Sequence, residues 1–225
     1  IMTNVLDSLV EANPVTQEIE PGLARDWEYS DDGTTVTLHL RKGVKWSDDE
    51  PFNADDVIFT FNNLTLNPNA ESNEVSRYEI EGEMVEFTKV DDYTIEVNLP
   101  APYGPFLKIL SQAPIAPEHK LAQHLDPENP GAINEAWSTG TELSEIVGTG
   151  PFTVDQYSVD QKLVLKRNPN SWRYDQEGNQ LPYVDQLVYV FVQNSEVQLA
   201  QFQAGEIDHL QISGKDFPML KQQEV

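Results

Sequence analysis

Four pairs of adjacent aspartates are the first residues of this sequence whose type and spacing could do chemistry: Asp31-Asp32, Asp48-Asp49, Asp55-Asp56 and Asp91-Asp92. Paired carboxylates can act as a general acid and base, or as oxygen ligands of Ca²⁺. Each pair lies at a predicted turn or helix start, where Asp side chains bond nearby backbone N–H groups. Because 38 of the 225 residues are Asp or Glu, adjacent pairs are also expected by chance. A structural role is therefore predicted for all four pairs.

Most catalytic and metal-binding motifs are absent from the sequence. It contains no cysteine, which excludes disulfides, thiol nucleophiles and cysteine-bound zinc. His119 and His124 are five residues apart and would lie on different faces of a helix. There is no nucleophile elbow, phosphate-binding loop or zinc-protease helix. We predict no catalytic residue, no metal site and no cofactor. A glycoside hydrolase that uses a carboxylate pair is the alternative of a different class, but nothing selects its two acids.

The net charge of the chain excludes some classes of binding partner. Fourteen Lys and Arg stand against 38 Asp and Glu, which gives a formal net charge of −24. Such a field repels phosphate backbones and anionic membrane surfaces, so nucleic-acid binding is excluded. The sequence also has no run of roughly 18 apolar residues, the length that a membrane-spanning helix needs.

Aromatic residues are the remaining candidates for ligand contact, since an exposed ring can stack on a sugar or pack on a peptide side chain. Tyr78 and Trp137 stand in polar, turn-rich segments and are predicted to face a ligand. Trp46 lies beside strand-like residues, where a core position is favoured, and is kept as a third ligand-binding candidate.

The elements that must position these residues follow from periodicity. Apolar and polar alternation predicts strands over 36–40, 93–99, 152–157 and 163–165, while 187–192, apolar on both faces, predicts a strand buried inside a sheet. Helical spacing is found in 1–10, and helices are predicted over 53–64, 105–110 and 196–204, with a further start at 215. The composition of 67–83 predicts a long loop.

An ordered series of motifs resembles a known family. The series includes PGLARDWEYSDDG at 21–33, LHLRKGVKWSD at 38–48, ADDVIF at 54–59, IAPEH at 115–119, GTGPF at 148–152 and GEID at 205–208. In this order they resemble the family 5 extracellular solute-binding proteins of ABC importers, which bind oligopeptides, dipeptides or nickel. One departure is Asp49-Glu50, where the family has Gly after the first Asp.

The resemblance implies an α/β fold, a periplasmic-binding-protein-like lobe with an inserted mixed α/β domain. We assign residues 1–28 and 148–225 to the first lobe and residues 29–147 to the insertion. The second lobe, which closes over the ligand, is expected to lie beyond Val225. We place the hinge at Gly148 and Gly150.

The resemblance also implies a function. It predicts the substrate-binding component of an ABC importer, which captures an oligopeptide by lobe closure and delivers it to the membrane permease. Residues 168–185 resemble a longer branch that includes oligosaccharide binders, so an oligosaccharide is the alternative ligand. A sensory or chaperone-like binding module is a further option. The expected protein is a monomer in the periplasm or outside the cell, with a lipid anchor as one mode of attachment.

Overall fold

The computed structural model of the protein describes residues 2–70, 72–138 and 140–212, together with residues 214, 217 and 221. The chain divides into two compact units: unit 1 comprises residues 1–155 and 165–187, and unit 2 comprises residues 156–164 and 188–225. The predicted division into 1–28, 29–147 and 148–225 has other boundaries and stays a prediction.

Short strands and helices alternate along the chain. The strands are β1 (Val10–Ala12), β2 (Ile19–Pro21), β3 (Ala24–Tyr29), β4 (Thr35–Leu40), β5 (Glu79–Ile80), β6 (Glu83–Met84), β7 (Glu86–Asp91), β8 (Thr94–Asn98), β9 (Phe152–Ser158), β10 (Lys162–Arg167) and β11 (Gln186–Val190). The α-helices are α1 (Ala54–Ile58), α2 (Phe106–Leu110), α3 (Glu118–Leu121) and α4 (Ser195–Gln203). The predicted helix start at residue 215 lies outside the described residues.

The centre of unit 1 is an antiparallel sheet in the order β3-β4-β8-β7. Every second side chain of β4 and β8 is buried, which confirms the half-buried strands predicted there. Val36, Leu38 and Leu40 of β4 and Ile95 and Val97 of β8 join one hydrophobic core. Two-stranded antiparallel pairs, β1-β2 and β5-β6, accompany this sheet, and a three-stranded sheet has the order β11-β10-β9.

Helix α1 begins where its sequence predicts. The side chain of Asn53 accepts a 2.6 Å hydrogen bond from the Asp55 N–H, and the Asp56 carboxylate accepts one of 3.1 Å from the Asn53 N–H. This reciprocal capping satisfies N–H groups that have no partner within the helix. The helix continues as a π-helical stretch, Phe59–Thr65, so the predicted helix is confirmed with a change of hydrogen-bond pattern.

Asp56 joins this helix to its surroundings. Its carboxylate also accepts hydrogen bonds from Trp46 Nε1 at 3.3 Å and from the backbone N–H of Glu118, at the start of α3, at 3.0 Å. Burial raises the pKa of Asp56, and the hydrogen bonds from Asn53, Glu118 and Trp46 oppose that shift. At this pair the aspartate has the structural role that the sequence indicated.

The helical spacing at the N-terminus does not produce a helix beyond a short 3₁₀ turn, Met2–Asn4, and that expectation was wrong. Tertiary hydrogen bonds take up the backbone instead. The carbonyl of Val5 accepts from the Gly150 N–H at 2.9 Å, and that of Leu9 accepts from the Ala24 N–H at 2.8 Å. Both side chains are fully buried, because this segment runs through the core rather than along its surface.

Two further expectations need correction. Strand β11 is not buried on both faces, since Val188 and Val190 remain 53% and 48% exposed, and the strand lies at the end of its sheet. An edge strand has a neighbour on one side only. The segment predicted as a loop over 67–83 contains a 3₁₀ helix, Val75–Tyr78, and the start of the β5-β6 hairpin. The helix at 196–204 is confirmed by α4, and Gly205 follows it with φ of 74°.

Candidate functional site

Two adjoining cavities of unit 1 form the candidate site. The larger, about 660 Å³, has polar and charged groups in its wall, among them Asp7, Glu11 and Arg173, and we call it the polar cavity. The smaller, about 300 Å³, is lined by Tyr78 and Trp137 and is called the aromatic cavity. The two share Leu6, Gln112 and Pro114 in their walls, so they are neighbours in one concave region. Concave sites of this size, largely apolar with a few polar groups, are where small ligands bind.

Tyr78 is fixed in the wall of the aromatic cavity by other rings. Its ring packs edge-on against Phe61 and Phe87, with centroids 5.6 and 6.2 Å apart, and only 2% of the residue is exposed. Burial is the main cause that raises the pKa of the Tyr78 phenol, so the hydroxyl stays protonated over the physiological range. Tyr78 therefore forms a rigid, neutral part of the cavity wall.

Trp137 enters the same cavity from a separate loop. Its φ of 53° lies in the left-handed region, which is uncommon for a large side chain and must be held by its surroundings. The half-buried indole packs against the main core and against a smaller cluster that contains Leu121 and Ile133. The sequence-based pairing of Tyr78 with Trp137 as ligand-facing aromatics stays a prediction, but the structure brings both rings to one cavity.

The polar wall of the aromatic cavity is held by an ion pair. Arg77 lies 2.7 Å from the Glu74 carboxylate and donates a 3.0 Å hydrogen bond to Gln112 Oε1. Glu74 and Gln112 both line this cavity. Thr60 also lines this cavity and is buried. Its hydroxyl donates to the Asp56 carbonyl at 2.7 Å, and this hydrogen bond holds the side chain in a fixed position in the cavity wall.

In the polar cavity, Arg173 is held between two carboxylates. Its Nη2 donates to Asp7 Oδ1 at 2.8 Å, and its guanidinium also forms a two-bonded pair with Glu11. The Asp7 side chain is 2% exposed and accepts a second bond, 2.8 Å long, from Trp172 Nε1. Burial alone would lower the pKa of Arg173, but the hydrogen bonds and charges of Glu11 and Asp7 outweigh it, and the net shift is upward. The cluster is a fixed set of charges, not a proton donor.

Trp46, the third aromatic candidate, lies elsewhere. It is fully buried, contacts Phe52 and His119 edge-on with centroids 6.3 and 6.0 Å apart, and lines neither cavity. The structure gives it the core position that the sequence favoured. Its ligand contact is a prediction to which the structure adds no support.

Gly148 and Gly150, the predicted hinge, pass directly over the backbone of Val5. A Cβ on Gly148 would stand 1.8 Å from the Val5 carbonyl oxygen, and one on Gly150 would stand 2.7 Å from it. Only glycine allows so close an approach. The structure thus gives a packing reason for both glycines, and their role as a hinge stays a prediction.

Sequence reasoning missed the charged cluster of Asp7, Glu11 and Arg173. Arg173 is separated from its two carboxylate partners by 166 and 162 positions. No local pattern in one sequence marks such a pairing, although the segment 168–185, which contains Trp172 and Arg173, was part of the family resemblance.

Neither a metal site nor a membrane-spanning helix is found in the described part of the chain. No group of three or more His, Asp or Glu side chains there could hold a metal ion. None of the helices in residues 2–70, 72–138 and 140–212 is both long and apolar enough to cross a membrane.

Known proteins resemble this chain in sequence and in structure. The dipeptide-binding protein of Escherichia coli K12 is 36% identical over 211 residues, 88% of this chain and 37% of that protein. The periplasmic alpha-galactoside-binding protein of Rhizobium meliloti is 34% identical over 182 residues, 75% of this chain and 25% of that protein. Among solved structures, MelB of Agrobacterium fabrum C58, in complex with stachyose, superimposes with a TM-score of 0.79 at 32% identity, over 92% of this chain and 33% of MelB.

These likenesses confirm the α/β fold of a periplasmic-binding-protein lobe. The chain spans 25 to 37% of the length of these relatives. Residues 18–224 match the family model described as "Bacterial extracellular solute-binding proteins, family 5 Middle". The chain therefore belongs to the bacterial extracellular solute-binding proteins of family 5.

Proposed function

We propose that this protein is the ligand-capturing component of an ABC importer, and that it binds an oligopeptide and delivers it to the membrane permease. The observation that carries the proposal is the pair of adjoining cavities, one aromatic and one polar, that share a wall at Leu6, Gln112 and Pro114. The protein performs no chemistry on the ligand. Capture consists of a shift toward a closed form that the bound ligand stabilises.

The two cavities suit the two parts of a peptide. The aromatic cavity, lined by Leu64, Ile109, Tyr78 and Trp137, is large enough for an apolar side chain. The polar cavity is lined by Ser8, Ser111 and Gln17, whose side-chain donors already bond backbone carbonyls. Their oxygens can still accept hydrogen bonds from peptide N–H groups, directly or through water. Peptides with different side chains can bind when most of the polar contacts are made to the peptide backbone rather than to the peptide side chains.

An oligosaccharide is the second candidate ligand, and one observation favours it. The half-buried Trp137 lines the aromatic cavity, and an indole ring can stack on the apolar face of a sugar, while the buried Tyr78 forms part of the fixed wall beside it. Two relatives reported above are named for an α-galactoside or solved with stachyose, which adds support to this candidate.

The remaining parts of the proposal concern the whole protein. It acts outside the cytoplasmic membrane as a monomer, with a lipid anchor as one mode of attachment, and its partner is the permease. Its hinge includes Gly148 and Gly150, and lobe closure brings a second lobe over the two cavities. The first lobe consists of residues 1–28 and 148–225, and residues 29–147 are its insertion.

A thermal-shift screen of the full-length protein at fixed salt tests the ligand class. Pooled peptides and pooled oligosaccharides are compared, and a ligand at about 100 times its Kd adds about 2.7 kcal/mol to the free energy of unfolding, a rise in Tm of a few degrees. A rise with peptides alone supports the proposal, and a rise with oligosaccharides alone selects the second candidate. No rise with either pool contradicts both. Loss of uptake of the bound ligand on deletion of the gene supports transport over a sensory role.

A further inference from the structure

A third cavity of unit 1, about 450 Å³, is separate from the candidate site and shares no wall residue with it. Arg25, Arg41, Lys42 and Lys45 lie in its wall, beside Ser171 and Trp172. We call it the basic cavity. Neighbouring residues of the chain line the two cavities, since Trp172 and Gln180 line the basic cavity while Arg173 and Leu181 line the polar cavity.

The charge of the basic cavity is opposite to that of the protein. Four of the 14 Lys and Arg of the chain line it, and its wall contains no Asp or Glu, although the chain carries 38 of them and a net charge of −24. Like charges placed together cost electrostatic free energy unless a counter-charge lies nearby. An anion bound among these four cations would therefore lower the electrostatic free energy of the cavity.

Among the described residues, carboxylates form ion pairs with only two of the four cations. Asp91 is near enough to Lys42 that, after the hydrogen bond from the Tyr93 N–H, the lysine charge helps lower the pKa of Asp91. Arg25 lies 3.0 Å from Asp26 and Lys45 lies 3.4 Å from Asp49, both in exposed pairs. Within the described part of the chain, no carboxylate oxygen lies within 4 Å of the charged groups of Arg41 or Lys42. The Arg41 Nε donates to the Gly22 carbonyl at 2.7 Å, and Lys42 lies over the ring of Tyr93 at 5.2 Å.

Arg41 lies in an environment that opposes its charge. Its guanidinium lies 4.6 Å from the centre of the Trp172 ring, and that of Arg173 lies 4.5 Å from the same centre. Burial, and then the positive charge of Arg173, lower the pKa of Arg41, while Glu11 opposes the shift. Asp7 and Glu11 already pair with Arg173, so neither carboxylate forms an ion pair with Arg41.

A buried donor belongs to a residue in the wall of the same cavity. Ser171 is 2% exposed, and its Oγ has no hydrogen-bond partner within the described part of the chain. A buried hydroxyl without a partner costs free energy, so such groups normally have a partner that is missing from the protein atoms alone.

We propose that the basic cavity binds a multivalent oxyanion, phosphate or sulfate, with Arg41 and Lys42 as its charged ligands and the Ser171 hydroxyl as a further donor. Arg and Lys are the side chains that bind such oxyanions, and bonds between charged groups are the stronger ones. A free anion is the source, because a chain of net charge −24 is repelled by an anionic lipid surface. The site is independent of the ligand captured in the candidate site.

Titration calorimetry of the full-length protein with inorganic phosphate and with sulfate tests the proposal, with ionic strength held constant by sodium chloride. We expect saturable binding that Lys42→Gln weakens by about tenfold, the loss of one charge-assisted contact. Ser171→Ala is expected to weaken binding without lowering Tm, because it removes a hydroxyl that has no partner in the protein. Lys162→Gln, an exposed lysine outside the basic cavity, removes the same charge and should leave binding unchanged.

Three results would overturn the proposal. The first is the absence of saturable heat with either anion. The second is an equal loss of affinity in Lys42→Gln and Lys162→Gln, which would indicate general charge screening rather than a site. The third is cosedimentation with phosphatidylglycerol vesicles without binding of free phosphate, which would assign the cavity to a lipid surface.

Discussion

The indole Nε1 of Trp172 donates a 2.8 Å hydrogen bond to Oδ2 of Asp7, which lies 165 positions earlier in the chain. The other oxygen of Asp7 accepts from Arg173 at 2.8 Å. One buried carboxylate thus ties two distant segments of unit 1 together in the wall of the polar cavity. Its charge is tolerated there because both oxygens are paired.

The Asp7→Ala variant is expected to unfold more easily than the wild type. The substitution leaves the Trp172 N–H and one side of the Arg173 guanidinium without their buried acceptor. Breaking a buried pair by removing one partner costs about 3–5 kcal/mol, and Glu11 will offset part of this by keeping its pair with Arg173. Urea denaturation measures the free energy of unfolding.

Asp26→Ala is the matched control, since Asp26 pairs with Arg25 at 3.0 Å but is 56% exposed at its side chain. An exposed pair contributes about 0–1 kcal/mol, so this variant should unfold close to the wild type. An equal loss of free energy of unfolding in Asp7→Ala and Asp26→Ala would contradict the prediction that the buried ion pair contributes more than the exposed one.

Gly148→Ala is predicted to destabilise the fold by more than about 3 kcal/mol, above the usual cost of overpacking, because the added Cβ would meet the Val5 carbonyl at 1.8 Å. A backbone atom cannot move aside as a flexible side chain can. Gly104→Ala, where nothing lies within 4 Å of an added Cβ, should change stability by less than about 1 kcal/mol. Thermal denaturation compares the two. A stable Gly148→Ala protein would show that residues 148–150 move away from Val5, as the proposed hinge requires.

The fold was predictable where local signals and packing agree. Strands β4 and β8 alternate buried and half-buried residues as their sequences do, and Asn53 caps α1 as its type predicts. At the N-terminus the same reasoning failed, because Val5 and Leu9 are buried within the core and their carbonyls bond distant residues rather than a helical turn. The spacing of apolar residues predicts secondary structure when one face of a helix or strand is buried. It does not distinguish helix from extended chain when the whole segment lies inside the core.

The candidate site was predictable in part. Tyr78 and Trp137 stood out as aromatics in polar segments, and they line one cavity, but the sequence could not tell that Tyr78 is held by Phe61 and Phe87. The pairing of Arg173 with Asp7 and Glu11 depends on tertiary structure alone. Residues that contact each other from more than 160 positions apart form no local pattern, so a single sequence does not reveal such a contact.

Asp175 is expected to titrate far below a typical aspartate, with a pKa of about 2. Hydrogen bonds from the Asn179 side chain and then the Tyr183 hydroxyl stabilise its carboxylate. Because the folded pKa lies below the unfolded value of 3.8, this contribution to stability is present above about pH 4 and is lost as the pH falls toward 2. NMR titration of the Asp175 carboxyl carbon measures the pKa directly.

Tyr183→Phe removes one of these donors and should raise the pKa of Asp175 toward 3.8. Tyr189→Phe, which changes a tyrosine that is not among the causes of the shift, is the control and should leave the pKa of Asp175 near 2. An Asp175 that titrates normally in the wild type would show that these hydrogen bonds do not persist in solution.

Trp137→Ala is predicted to abolish most of the rise in Tm that the captured ligand produces, because it removes one of the two rings that line the aromatic cavity. Loss of a large aromatic contact in a binding pocket typically costs 2 kcal/mol or more, a fall in affinity of at least about thirtyfold. Trp137→Phe keeps a ring and should retain part of the affinity.

The control for this experiment is Trp27→Ala, since Trp27 is also a partly buried tryptophan of the main core but lines neither the aromatic nor the polar cavity. Both alanine variants lose core packing and will melt below the wild type without ligand, so the quantity compared is the rise that the ligand adds to each. If Trp27→Ala loses that rise as completely as Trp137→Ala does, the effect comes from a weakened fold. If Trp137→Ala keeps it, the ligand binds away from the aromatic cavity.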